Sequence, residues 1–250
     1  MTMFDLRGRL ALVTGSSRGI GRAIAEGYVA AGARVLINGR DAAGVDAAVK
    51  AIGKSAIAAP FDVTDKAVIE MAVEKIEKDI GPIDILVNNA GMQQRAPFVE
   101  FPEEGWRKVL ATNLDSVFFV TQAVARRMIA RSRGKIVNIC SVMSELGRPT
   151  IAPYTASKGA VKMLTKVMCA EFAKHGITAN GISPGYFGTE LNTALMADEK
   201  FSAWVCARTP AGRWGRVEEL QGAAIFLASD ASSFVNGHIL FVDGGMTAVV

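Results

Sequence analysis

Short apolar segments alternate with longer amphipathic segments along the whole chain. The apolar segments are rich in Val, Ile and Leu, and they lack the apolar–polar alternation of a strand that has one exposed face. They are therefore predicted to be strands buried on both sides. The predicted strands are LALVTG, RVLING, AAPFDV, DILVNNAG, KIVNICS, ITANGISPG and HILFVDGG.

The segments between these strands have the periodicity of helices. Helices are predicted near 19–31, 42–52, 65–79, 102–131, 153–175 and 216–228. This alternation is typical of a parallel sheet with helices on both faces. No repeat or linker divides residues 1–250, so we expect a single α/β domain with a doubly wound, Rossmann-type parallel sheet of about seven strands. Ligands of such sheets bind beyond the carboxyl ends of the strands.

Composition and charge narrow the classes of function. Half of the 250 residues are hydrophobic and 21% are charged, which is ordinary for a globular protein. The formal charge of +4 is spread along the chain, whereas a nucleic-acid-binding protein gathers its basic residues on one surface. A small anionic ligand is therefore expected, and no nucleic-acid partner.

The cysteines and the N-terminal segment indicate a cytoplasmic protein. Cys140, Cys169 and Cys206 are widely separated and show no zinc-ligand spacing, so they are expected to be reduced and structural, and no metal site is predicted. The segment MTMFDLRGRLALVTG lacks the features of a signal peptide, and no apolar run is long enough to cross a membrane.

The first predicted strand continues into the glycine-rich segment TGSSRGIG, Thr14 to Gly21, which opens the first predicted helix. Gly15 allows a sharp turn, and Gly19 and Gly21 allow a pyrophosphate and the sheet to approach closely. The free N–H groups at the start of the helix attract an anion. A bare turn also uses glycine, but the flanking strand and helix favour a dinucleotide site.

The end of the second strand bears on the choice of dinucleotide. An acidic residue about twenty positions past the glycines favours NAD, and Asp41 stands there. Asp41 precedes a helical pattern, where aspartate is a favoured N-cap. Arg18 and Arg40 suit a 2′-phosphate, although each could be an ordinary surface residue. With Asn38 ending the strand in place of an acid, the pattern favours NADP.

Tyr154 and Lys158 lie one turn apart on one face of the predicted helix 153–175. A free tyrosine has a pKa of about 10, so it needs a nearby positive charge to act as a base near neutral pH. Lys158 and a positively charged oxidised nicotinamide could together supply that charge, and Ser141 ends the preceding strand. The spacing Y-x-x-x-K also occurs by chance on many helices. Asn113 lies inside another helical pattern, where propensity alone gives little reason for it.

The motifs together resemble the short-chain dehydrogenase/reductase family over essentially the whole chain. The resemblance rests on TGSSRGIG, NNAG, SPGYFGT and a serine thirteen positions before the tyrosine of Y-x-x-x-K. It implies an oxidoreductase in which Tyr154 transfers a proton, Ser141 bonds the same substrate oxygen and Lys158 lowers the tyrosine pKa and binds the nicotinamide ribose. It also implies that Asn113 carries a water-linked proton relay, and that the protein is a homotetramer.

The resemblance extends the expected cofactor contacts to later strand ends. It implies that Asp62 and Val63 flank the adenine, and that Pro184, Gly185 and Thr189 contact the nicotinamide carboxamide. The full predicted cofactor set is Gly15, Ser17, Arg18, Gly19, Ile20, Gly21, Asn38, Arg40, Asp62, Val63, Asn89, Ala90, Gly91, Tyr154, Lys158, Pro184, Gly185 and Thr189.

The expected substrate is a small hydroxylated acid. Polar, charged loops follow the fourth and fifth strands, and an arginine can bind a carboxylate through two hydrogen bonds. The family resemblance puts a variable substrate loop near residues 185–215. Arg95 and Arg148 could each be a substrate contact, a surface residue or an intersubunit residue. The predicted substrate residues are Arg95, Ser141, Ser144, Glu145, Tyr154 and Tyr186.

Other readings of the sequence stay open. Dehydrogenases of different sugar acids would share these motifs, and so would a 3-oxoacyl carrier-protein reductase of the same family. A carrier protein would need exposed basic residues near the pocket, and four arginines are candidates: Arg126, Arg127, Arg131 and Arg133. A non-catalytic nucleotide-sensing protein is a further alternative, although a protein that only binds needs no proton relay.

Overall fold

The computed structural model describes residues 3–250, which form one seven-stranded parallel sheet. The strand order is β3-β2-β1-β4-β5-β6-β7. The chain crosses from the edge strand β3 back to β4 beside β1, so the winding direction changes between β1 and β4, where ligands bind in such sheets. The strands are β1 (Leu10–Val13), β2 (Arg34–Ile37), β3 (Ala56–Ala58), β4 (Ile85–Asn88), β5 (Gly134–Ile139), β6 (Ile177–Pro184) and β7 (Ile239–Val242).

Helices cover both faces of this sheet, which confirms the predicted fold class. They are α1 (Gly19–Ala30), α2 (Ala42–Ile52), α3 (Lys66–Asp79), α4 (Glu103–Leu110), α5 (Ser116–Ala130), α6 (Ala152–Phe172), α7 (Thr193–Ala197), α8 (Glu199–Arg208) and α9 (Gln221–Ala228). In the described part of the chain, no helix is both long enough and apolar enough to cross a membrane.

Successive strand residues point to two different hydrophobic cores. Leu12 and Leu86 pack against α3 and α5, whereas their neighbours Val13 and Val87 pack against α1 and α9. Each fully buried aliphatic side chain contributes about 1.5 to 3 kcal/mol by leaving water. The strands are continuous apolar runs because both of their faces are buried.

Three elements differ from the sequence-based expectation. Strand β3 ends at Ala58, the first residue of AAPFDV, and Pro60 has no N–H with which to continue the ladder. The helix predicted over 102–131 is divided by a π-helical turn, Ala111–Asp115. The segment predicted as a substrate loop contains the helices α7 and α8.

Candidate active site

The glycine-rich loop after β1 is fastened to the end of β4. The hydroxyl oxygen of Thr14 accepts hydrogen bonds from the backbone N–H groups of Asn89 (2.9 Å) and Ala90 (3.0 Å). Gly15 has a φ of +60°, and a Cβ there would lie 2.9 Å from the Cα of Ala90. Gly19 has a φ of +57°, and a Cβ there would meet no protein atom within 4 Å. The loop therefore leaves an open, backbone-lined cradle of the kind that suits a pyrophosphate.

Gly21 has a different role from the other glycines of the loop. A Cβ at this position would lie 2.3 Å from the Asn89 amide nitrogen and 2.6 Å from the carbonyl oxygen of Gly15. Gly21 is buried and does not line the cleft. Gly21 therefore packs beneath the loop, and its predicted contact with a cofactor stays a prediction.

The side chain of Asn38 is used inside the protein. Its amide nitrogen donates to the carbonyl oxygens of Ala59 and Phe61, both at 3.1 Å, and its amide oxygen accepts from the N–H of Gly15 at 3.2 Å. Asn38 thereby joins the segments that follow β1, β2 and β3. It lines the cleft, but its amide is committed to these protein groups.

The residues expected to select the dinucleotide lie at the adenosine end of the cleft. Asp41 is the N-cap of α2, since its carboxylate accepts from the N–H groups of Ala43 and Gly44, each at 3.2 Å. This confirms the N-cap prediction. Arg18 and Arg40 are exposed residues that line the cleft. Two guanidinium groups beside a carboxylate that is already engaged fit a 2′-phosphate better than a ribose diol.

The remaining predicted cofactor residues lie along the same cleft, which runs across the strand ends from the glycine loop to the end of β6. They are Ser17, Ile20, Asp62, Val63, Gly91, Pro184, Gly185 and Thr189.

At the nicotinamide end of this cleft, Ser141 follows β5 and faces the first turns of α6. Tyr154 and Lys158 of α6 line the cleft beside it. The Lys158 ammonium donates to the carbonyl oxygen of Ile139 at 2.6 Å and lies 5.8 Å from the centroid of the Tyr154 ring. The fold therefore brings together three of the four residues that the sequence analysis assigned to proton transfer, and the fourth is Asn113.

Burial dominates the electrostatics of this group. Burial raises the pKa of Tyr154, and a hydrogen bond with Ser141 and the charge of Arg148 oppose this rise. Burial also lowers the pKa of Lys158 to about 8. Lys158 is not among the groups that lower the tyrosine pKa here, because it is itself desolvated and is bonded to a backbone carbonyl. The expected lowering of this pKa by Lys158 and an oxidised nicotinamide together stays a prediction. A low tyrosine pKa needs a further positive charge in the cleft.

Asn113 lies in the π-helical turn, and its side chain is buried. Its amide nitrogen donates to the carbonyl oxygen of Met92 at 2.9 Å and to the hydroxyl of Ser157 at 3.3 Å. Its amide oxygen accepts from the N–H of Met92 at 2.8 Å. These three bonds tie the loop after β4 to α6 and include no contact with Lys158. π-Turns are frequent at functional sites. The sequence pattern does not predict this one.

A smaller cavity of about 470 Å³ lies beside Ser141 and Tyr154. Four residues line both it and the cofactor cleft, namely Gln93, Ser141, Tyr154 and Gly185. The predicted substrate residues Arg95 and Tyr186 line the cavity. Arg148, whose role the sequence analysis left open, also lines it, as do Gln93, Asn192 and Leu195, which the sequence analysis did not name.

Two predicted substrate residues lie elsewhere. Ser144 donates its hydroxyl hydrogen to the carbonyl oxygen of Lys158 at 3.0 Å, and Glu145 forms an ion pair with Lys162. Neither residue lines the cavity. The short 3₁₀ turn after Ser141 directs both side chains toward α6, and this turn could not be placed from the sequence.

The parallel sheet, the glycine cradle and the Ser–Tyr–Lys group define a dinucleotide-dependent oxidoreductase. The family model described as "Enoyl-(Acyl carrier protein) reductase" matches residues 15–247. The chain belongs to the short-chain dehydrogenase/reductase family, whose members use NAD or NADP.

The chain is similar to proteins of several bacteria. The chain is 58% identical to a 5-keto-D-gluconate 5-reductase of Escherichia coli K12, covering 99% of each protein. It is 59% identical to a gluconate 5-dehydrogenase of Gluconobacter oxydans 621H, covering 98% of this chain and 97% of the relative. A crystal structure of a gluconate 5-dehydrogenase from Burkholderia cenocepacia J2315, in complex with NADP and tartrate, superposes with a TM-score of 0.95 at 58% identity, covering 99% and 98% of the two chains.

Proposed function

We propose that this protein is an NADP-dependent oxidoreductase that interconverts D-gluconate and 5-keto-D-gluconate. The observation that carries the proposal is the junction at Ser141 and Tyr154, which line both the nucleotide cleft and the small cavity. A substrate in the cavity therefore meets a cofactor in the cleft at the two hydroxyl groups. Relatives that share nearly the whole chain act on 5-keto-D-gluconate and gluconate.

Each residue of the junction has a distinct task in this reaction. When bound in the cleft, the nicotinamide cofactor supplies or accepts the hydride. In reduction, the Tyr154 phenol donates its proton to the carbonyl oxygen, and in oxidation it accepts the proton of the hydroxyl. Ser141 donates a hydrogen bond to the same oxygen and holds it beside the tyrosine. The Lys158 ammonium adds positive charge at the base of the site, and Asn113 fixes the loop and α6 in their relative position.

The choice of NADP follows from the adenosine end of the cleft. The pyrophosphate would lie on the cradle that begins at Gly15, and the 2′-phosphate would lie between the exposed guanidinium groups of Arg18 and Arg40. Asp41 does not compete for the ribose, because its carboxylate caps α2.

The proposed activity is tested by mixing the purified protein with 5-keto-D-gluconate and following the loss of NADPH or NADH absorbance. We expect NADPH to be consumed much faster than NADH. Arg40→Ala should lower kcat/KM for NADPH by about tenfold, the loss of one charge-assisted hydrogen bond, and leave NADH unchanged. Arg34→Ala, at the opposite end of β2, is the matched control.

Two results would contradict the proposal. Faster use of NADH would overturn the cofactor assignment and leave the chemistry standing. No turnover with either cofactor would overturn the substrate assignment.

The structure gives no support to a carrier-protein reductase. Three of the four arginines that could attract an acidic carrier protein are in ion pairs within the chain: Arg126 with Glu70, Arg131 with Glu77 and Arg133 with Asp84. The fourth, Arg127, donates to the carbonyl oxygen of Ala123. Their charges are largely compensated, so they do not form a strong basic docking surface.

We also propose that the protein is a cytoplasmic homotetramer. Large apolar side chains are exposed on the elements around α4, α5 and α6, among them Phe98, Phe118 and Val167. Contact between copies would remove this apolar surface from water. Sedimentation should give four times the chain mass of 26.5 kDa, and a monomer mass would contradict the proposed assembly.

A further inference from the structure

The cavity beside Tyr154 holds two arginines that lack an acidic partner. Arg95 and Arg148 both line it, and no carboxylate within residues 3–250 forms an ion pair with either. Partial burial and the charge of Arg148 lower the pKa of Arg95. Two like charges that face one small space repel each other, and an anion bound between them removes the repulsion.

The loops that carry these two arginines are joined. The N–H of Ala96 donates to the carbonyl oxygen of Thr150 at 3.1 Å. Thr150 has a φ of +72°, a left-handed conformation that is costly for a β-branched residue. Such strain persists only where the surroundings enforce it, and it is concentrated at ligand sites. The two guanidinium groups are therefore held in one neighbourhood by backbone structure.

The position of Arg148 is set by neutral groups. Its Nη1 donates to the Tyr186 hydroxyl at 2.9 Å, and its guanidinium carbon lies 5.1 Å from the centroid of the Phe201 ring. The Tyr186 ring in turn packs edge-on against Phe201, Trp204 and Trp214, with centroid separations of 5.6 to 5.9 Å. A phenol and aromatic faces orient a guanidinium without neutralising it, so its charge stays available to a ligand.

We propose that Arg148 is a specificity-determining residue that, together with Arg95, binds the carboxylate of the substrate and so determines which carbon faces Tyr154. This inference rests on the proposed sugar-acid function. Anchoring the carboxylate at one end of the cavity fixes the distance from that end to the reacting hydroxyl. The helix α8 takes part through Phe201, whose ring lies under the Arg148 guanidinium.

The test compares two substrates that differ only in the carboxylate. D-Glucitol has the polyol chain of D-gluconate with CH₂OH in place of the carboxylate. Arg148→Gln should lower kcat/KM for D-gluconate by about 10- to 100-fold, the loss of a charge-assisted contact, mainly through KM. Oxidation of D-glucitol should fall much less, by only the small change that losing the Arg148 charge makes to the pKa of Tyr154. Arg148→Lys should recover part of the loss, and Arg34→Gln is the matched control. An equal loss with both substrates, or no loss with D-gluconate, would overturn the proposal.

A binding measurement separates this inference from the proposed function. Tartrate, a small hydroxylated dicarboxylate, is titrated calorimetrically into the NADP-loaded protein. The wild type should bind it, Arg148→Gln should bind it at least about tenfold more weakly, and Arg34→Gln should match the wild type. Equal binding by wild type and Arg148→Gln, or no binding by the wild type, would refute the carboxylate site. Failure of the wild type to oxidise D-gluconate would instead refute the proposed function, and the tartrate result would still decide the role of Arg148.

Discussion

The nucleotide cleft and the substrate cavity meet at Tyr154, but they are built in different ways. The cleft is formed by strand ends that are fastened to one another by buried hydrogen bonds, such as those of Thr14, Asn38 and Asn89. The cavity is formed by residues from separate loops and helix starts, and Arg148 is positioned there by the Tyr186 hydroxyl and the Phe201 ring. One region depends on backbone geometry and the other on side-chain identity.

This difference has a chemical reason. A dinucleotide presents the same pyrophosphate to any protein that binds it, so backbone N–H groups on a rigid frame suffice. A sugar acid differs from its analogues by single carboxylate or hydroxyl groups, and placed side chains must tell these apart. Substitutions should therefore affect the two regions separately, except at the junction.

Tyr154→Phe tests the junction and should have the largest effect. Loss of the phenolic hydroxyl removes the proton donor, so kcat should fall by about 100- to 10,000-fold. NADPH binding, measured by fluorescence titration, should stay close to that of the wild type, because the cradle and the arginines are untouched. Full turnover by the phenylalanine variant would show that Tyr154 is not the proton-transfer residue.

Gly21→Ala tests the rigidity of the cleft. The added methyl group would lie 2.3 Å from the Asn89 amide nitrogen and 2.6 Å from the Gly15 carbonyl oxygen. We expect the free energy of unfolding to fall by about 1 to 3 kcal/mol, the usual cost of overpacking, and NADPH binding to weaken.

Gly222→Ala is the matched control for this change. A Cβ at Gly222 in α9 meets nothing within 4 Å, and alanine favours a helix, so urea unfolding should show unchanged or slightly higher stability. A Gly21→Ala protein as stable as the wild type would mean that the loop yields easily.

Lys158→Met tests how the buried charge beside Tyr154 affects stability. We expect it to cause the smallest change of the three substitutions. Burial lowers the lysine pKa from 10.5 to about 8, so the unfolded chain binds more protons than the native protein between these two values. The stability of the wild type should therefore rise with pH across this window. Removing the buried charge should stabilise the variant in the absence of cofactor, whereas loss of the hydrogen bond to Ile139 should destabilise it. We expect a net increase of about 1 kcal/mol in the free energy of unfolding at pH 7.

Thermal unfolding from pH 7 to pH 10 measures this effect. The advantage of the methionine variant should shrink as the pH rises and the wild-type lysine loses its charge. An advantage that grows with pH would contradict the assigned burial effect.

The sequence by itself determined the features that depend on local pattern. Buried strands show as unbroken apolar runs, and the first βα turn shows as TGSSRGIG between a strand and a helix. The N-cap role of Asp41 could be predicted because aspartate satisfies the free N–H groups of the helix that follows it. Tyr154 and Lys158 could be paired because one helical turn separates them.

Only the tertiary structure decided which polar side chains remain available to ligands. Asn38 and Glu145 are polar residues after strands, as the ligand rule requires, but one is bonded to three backbone groups and the other to Lys162. Arg148 faces the cavity because Tyr186 and Phe201, far along the chain, hold it there. Partners so distant in sequence leave no periodic or local signal, so the satisfaction of a polar group depends on the packed fold.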